Sequence, residues 1–145
     1  MATNKTYAQR RKKWLNALES GEYRQTRYQL HTPEGFCCLG VACDRFNKPL
    51  KLKVLKSPTR TEYNHQSALL PVPVADYLGL HSTSGAFQKD GRRVNLSIKV
   101  RRGAEKGQVI MVSSLTELND EASYSFKEIA KFVRKNRDIV FQQDK

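Results

Sequence analysis

The chain has no apolar run approaching the ~20 residues a helix needs to cross a bilayer. Its start, Met1-Ala2-Thr3-Asn4-Lys5, lacks the apolar middle of a secretory signal. No membrane association is expected. Cysteine is scarce as well: the count is three, an odd number that fits a disulfide framework poorly, so reduced thiols in a cytoplasm are the expectation. Cys-x-x-Cys is missing, which removes the common zinc and redox motifs. So are Gly-x-Gly-x-x-Gly, a Walker-type loop and a Gly-x-Ser-x-Gly elbow, and no internal repeat or low-complexity tract occurs. Acid is the last shortage. Fourteen acidic residues face 26 basic ones, a net charge of +12. Such an excess draws polyanions: nucleic acid, nucleotides or the acidic face of a partner protein.

What is present is long enough for one domain, residues 1–145, with a continuous core. The three cysteines sit together in Gly35-Phe36-Cys37-Cys38-Leu39-Gly40-Val41-Ala42-Cys43-Asp44-Arg45-Phe46. Phe36 and Cys38 alternate with Cys37 and Leu39 as in a buried strand, whereas Leu39, Ala42, Cys43 and Phe46 recur at helical spacing. A strand feeding a helix is predicted, with Cys38 and Cys43 as buried small hydrophobes free of metal.

Other stretches carry a resemblance. Trp14-Leu15-Asn16-Ala17-Leu18-Glu19-Ser20-Gly21, Phe36-Cys37-Cys38-Leu39-Gly40-Val41, Leu115-Thr116-Glu117-Leu118-Asn119-Asp120 and Ser125-Phe126-Lys127-Glu128-Ile129-Ala130 are the main ones. In these the chain resembles a widespread family of small tailed-bacteriophage proteins of unassigned function. The resemblance implies a non-structural accessory protein made in the cytoplasm of an infected bacterium, with interference in a host defence system as its natural purpose. It implies no active site. The stretches from Phe46 to Ala68 and from Ser82 to Val112 match its motifs least.

Along the chain, Thr6 to Ser20 reads as a helix with Tyr7, Arg11, Trp14, Leu15 and Leu18 on one face and Gly21 as its stop. Tyr23 to Leu30 reads as a strand, turned at Thr32-Pro33-Glu34-Gly35 into Phe36. Leu50, Leu52 and Val54 alternate with lysines as in an edge strand, and Pro71 opens a short helix closed by Gly79. Strands are expected over Gly85–Gln88, Arg92–Arg101 and Gln108–Val112, with Asp90-Gly91 as a hairpin turn. Val94, Leu96, Ile98 and Val100 give the middle one a dry face, opposite Arg93, Lys99 and Arg101. Ser114 and Ser125, each followed by glutamate three residues on, start two helices. A helix-turn-helix is disfavoured, because Arg137 to Phe141 reads as a strand-like ending where a readout helix belongs. Gln142 to Lys145 is expected to be disordered.

His31, His65 and His81 fall in separate predicted loops and read as solvated; Asn119-Asp120-Glu121 lacks the glycine and distant glutamate of a calcium loop. The patterning predicts an α+β domain: an antiparallel sheet of hairpins covered on one face by the N-terminal, central and C-terminal helices. Trp14, Leu18, Phe36, Leu39, Phe126, Ile129 and Val133 should share one core. The expected function is non-catalytic binding of an anionic ligand (a nucleotide signal or nucleic acid) or an acidic host protein, as a monomer or homo-oligomer. Candidate ligand-binding residues are Arg92, Arg93, Lys99, Arg101 and Arg102, where guanidinium forks suit phosphate or carboxylate, with Tyr124 and Phe87 as nearby aromatics. No catalytic residue, metal ligand or cofactor is expected. A sequence-tolerant nucleic-acid binder and a small enzyme without a recognisable motif are the alternatives.

Overall fold

Tyr7, Arg11, Trp14, Leu15 and Leu18 line one side of helix α1 (Asn4–Glu19), and the last four of these are buried. The computed structural model describes residues 4–143. Burial of Arg11 is tolerated because its Nε donates to Leu78 O at 2.8 Å while the guanidinium lies 4.2 Å from the Phe141 ring.

Helix α2 (Cys38–Phe46) is the centre of the molecule. It is apolar nearly all round, with Cys38 through Cys43 and Phe46 buried. The strand expected through Cys38 stops at Phe36, because Cys37 becomes the helix cap: its Sγ accepts from Gly40 N–H. Gly40 is forced by packing, since a Cβ there would stand 1.8 Å from Leu30 O. Trp14 Nε1 donates to Cys38 O at 3.0 Å, pinning α1 across the start of α2. Helices α3 (Val72–Leu78) and α4 (Leu115–Asp120) pack on α2, and α5 (Phe126–Lys135) packs on α1. Gly79, left-handed at φ +73°, ends α3 as predicted.

The class is α+β with antiparallel hairpins, in keeping with the patterning. The hairpins pair locally, as β1 (His31–Thr32) with β2 (Gly35–Phe36), β3 (Val54–Lys56) with β4 (Thr61–Tyr63), β5 (Gln88–Lys89) with β6 (Arg92–Arg93), and β7 (Leu96–Lys99) with β8 (Val109–Val112). They remain four two-stranded ladders around the helices instead of fusing into one sheet. The reason is that α2, apolar nearly all round, takes the middle of the core and leaves the hairpins its periphery.

Four segments differ from expectation. The edge strand expected through Leu50, Leu52 and Val54 begins only at Val54, because the chain turns at 47–51 with Lys51 at φ +52°. Tyr23 to Leu30 is irregular, because Tyr28 takes φ +70° where Asp120 Oδ1 accepts its N–H, and no strand passes through such a residue. The strand over Arg92–Arg101 breaks at Val94-Asn95 as the chain changes partner from β5 to β8, although its alternation survives: Val94, Leu96 and Ile98 are half-buried and Val100 is buried. Arg137–Val140 is a helical turn, α6, with Phe141 bridging to Leu80. A strand would bury every other residue, whereas Ile139, Val140 and Phe141 all reach the core. Gln142 is pinned to Gly79 O and Leu80 O, while the rest of the tail expected to be disordered lies partly outside the described residues.

Trp14, Leu18, Leu39, Phe126, Ile129 and Val133 share one buried cluster, with Phe36 half-buried against it. Among the described residues no helix is long and apolar enough to cross a membrane.

Candidate anion-binding groove

Helix α5 starts with a full capping box. Ser125 Oγ accepts Glu128 N–H, and Glu128 Oε1 accepts Ser125 N–H at 2.8 Å. This places Glu128, Lys131, Phe132 and Lys135 on one stripe, at helical spacings of three, four and seven. Opposite lies Arg101, one residue past the buried Val100, where its backbone N–H donates to Ala122 O at 2.9 Å. Between them Tyr124, buried in the α4–α5 link, carries the Arg101 guanidinium 4.5 Å from its ring centroid and accepts from Arg101 Nη2 at 3.3 Å. These walls, with Asn136, line a groove of about 320 Å³.

Three cations, Arg101, Lys131 and Lys135, face this groove against a single carboxylate. Burial pushes the Glu128 carboxyl up, but hydrogen bonds from Arg102 and from Ser125 outweigh it and hold the pKa down to about 2. Arg101 Nη1 reaches Glu128 Oε2 at 3.0 Å, and Arg102 Nη1 reaches Oε1 at 2.6 Å. Phe132 is half-buried and rests on the fully buried Phe87, ring centroids 5.3 Å apart. Lys131 and Lys135 are exposed.

The structure divides the candidate residues. Arg101 and Tyr124 meet in the groove, while Arg102 turns to its other side, where it donates to Ser123 O and lines a smaller cleft with Arg27. Arg92 and Arg93 project from the β5–β6 hairpin and Lys99 from β7, and none of the three lines either cleft. The cationic run is thus divided by the interruption of the strand at Val94-Asn95: Arg92 and Arg93 lie on β6, Lys99 on β7, and Arg101 and Arg102 beyond it. Phe87 is fully buried and Tyr124 lies under Arg101, so Phe132 is the aromatic left within reach of a ligand.

Glu128, Lys131, Phe132 and Lys135 were not among the candidates. Their signal was an aromatic, Phe132, lying off the apolar stripe of α5 with Lys131 one residue before it and Lys135 three residues after it.

The residues of the Phe36–Val41 and Leu115–Asp120 motifs hold the fold. Asn119, 1% exposed, accepts from Cys38 N–H and Gln25 Nε2 through Oδ1 and donates to Thr26 O and Asp120 Oδ1 through Nδ2. All three cysteines are buried and free; burial raises the Cys37 thiol to about 12 and lifts Cys38 and Cys43 as well. His31 is not a simple solvated loop residue. It opens β1, stacks on Phe36 at 3.8 Å and meets Tyr63 Oη at 3.0 Å, and burial lowers its pKa. His81 is half-buried and His65 is exposed. Among the described residues no group of three or more His, Cys, Asp or Glu is placed to hold a metal ion.

No curated protein and no solved structure matches the chain. Residues 7–137, from the first turns of α1 to the start of α6, match the family described as Domain of unknown function (DUF8296), and the chain belongs to that family.

Proposed function

We propose that the protein binds a small anionic ligand, without catalysis, in the groove between α5 and the end of β7. The observation that carries this reading is the convergence of Arg101, Lys131 and Lys135, from two separate parts of the chain, around a cavity floored by Phe132. Lysines spread over a solvated helix face make no cavity. Here the capping box and the Arg101–Tyr124 contact give them one. The volume lies at the small end of the range for ligand sites. A phage setting, with sequestration of a host defence signal as the purpose, follows from the motif resemblance and is part of the proposal.

The test is a binding titration with nucleotides on the wild type and on the Lys131→Glu, Lys135→Glu double variant. Both lysines are exposed, so folding should change by only about half a kcal/mol per site while binding falls at least tenfold. Arg93→Glu lies outside the groove and should leave binding unchanged. Equal affinity in wild type and double variant would end the proposal. Salt separates the alternative: a single-stranded nucleic acid neutralised at many phosphates loses affinity steeply with salt, a small ligand shallowly.

A further inference from the structure

Resting on that reading, we infer that Glu128 makes the groove selective for nucleoside phosphates over bare phosphate, by presenting one carboxylate oxygen that a bound ligand must satisfy with a hydrogen-bond donor. The two oxygens of this carboxylate have different duties. Oε1 is fixed, accepting Ser125 N–H at 2.8 Å and Arg102 Nη1 at 2.6 Å. Oε2 accepts from Arg101 Nη1 at 3.0 Å. The carboxylate cannot swing away without breaking the start of α5, whereas Arg101, 47% exposed in its side chain, can leave it.

A phosphate bound between Lys131 and Lys135 draws Arg101 toward itself, because the guanidinium then gains a more highly charged partner. Oε2 is left on the groove wall as an acceptor without its donor. Inorganic phosphate or pyrophosphate can only set its own anionic oxygens against that oxygen, which is repulsive. A nucleoside phosphate brings ribose hydroxyls and base N–H groups that donate to Oε2, together with a planar ring that can lie on Phe132. The same carboxylate therefore penalises one ligand class and rewards the other.

Calorimetric titrations at fixed ionic strength with inorganic pyrophosphate and with a nucleoside 5′-diphosphate test this on wild type and Glu128→Gln. Glutamine keeps a capping box available, and Glu128→Ala, which retains the Ser125 cap, is the second variant if glutamine unfolds the helix start. The wild type should prefer the nucleotide by at least tenfold. In the variant pyrophosphate should gain about tenfold and the nucleotide less than threefold, so that selectivity collapses. Equal gains for both ligands, or none for either, would overturn the role of Glu128 while leaving the groove in place. If Lys131→Glu, Lys135→Glu also binds both ligands as the wild type does, the groove itself is wrong.

Discussion

Replacing Asn119 by alanine removes four hydrogen bonds at once from a site that is 1% exposed. The buried Cys38 N–H and the half-buried Thr26 O lose their side-chain partner, and Gln25 keeps only its bond to Tyr124 O. An unsatisfied buried polar group costs about 1–3 kcal/mol. The buried Cys38 N–H, the half-buried Thr26 O and the lost packing give a destabilisation of about 2–4 kcal/mol, a large part of the ~5–15 kcal/mol that holds a domain of this kind together. The assay is urea unfolding at pH 7 followed by circular dichroism, in which the midpoint should fall while the slope stays the same. A loss below about 1 kcal/mol would refute the claim that Asn119 ties the Gln25–Tyr28 segment to the start of α2. Asn119→Asp sharpens the test. It replaces the Nδ2 donor with an oxygen facing Thr26 O and Asp120 Oδ1, which raises the folded-state pKa of the new carboxyl above its unfolded value of about 3.9. That variant should therefore be least impaired below this pH and lose stability as pH rises.

Three further outcomes follow from the same geometry. All three cysteines should resist a thiol-specific disulfide reagent in the native protein and react together on unfolding, since burial holds their thiols protonated; rapid labelling of any one of them under native conditions would contradict the packing of α2. Glu128, at about 2 when folded against an ordinary 4.5, contributes stability that is complete above about pH 4.5 and is lost as pH falls toward 2, so the stability gap between wild type and Glu128→Gln should close over that window, and a gap that persists at pH 2 would refute it. Phe126→Ala should cost about 3–5 kcal/mol, as a large buried side chain at the start of α5; an unchanged melting temperature would remove Phe126 from the core.

Where local chemistry decided the structure, the sequence was enough to read it. The Ser125–Glu128 capping box, the Phe126, Ile129, Ala130, Val133 stripe, the Asp90-Gly91 turn and the Gly79 stop each depend on residues within a few positions of one another. Tyr28 departs from its predicted strand because of Asp120, 92 residues away, and no local pattern announces such a partner. The groove was half legible for the same reason. Arg101 and Tyr124 were candidates from the basic run and a nearby aromatic, whereas Lys131 and Lys135 stand on the helix that Ser125 was expected to start. Only the tertiary path of the chain, which carries Arg101 past Val100 to Ala122, brings the two together. Arg92, Arg93 and Lys99 shared a run of sequence with Arg101 but not its location.

The central claim, that the groove on α5 is where an anionic ligand binds, is tested most directly by following backbone amide resonances during titration with a nucleoside 5′-diphosphate. The account predicts shifts concentrated at Arg101, Tyr124 and residues 128–136. Shifts confined to the lysine-rich segment from Lys48 to Arg60 or to Arg92 and Arg93, or no shifts at millimolar ligand, would contradict it.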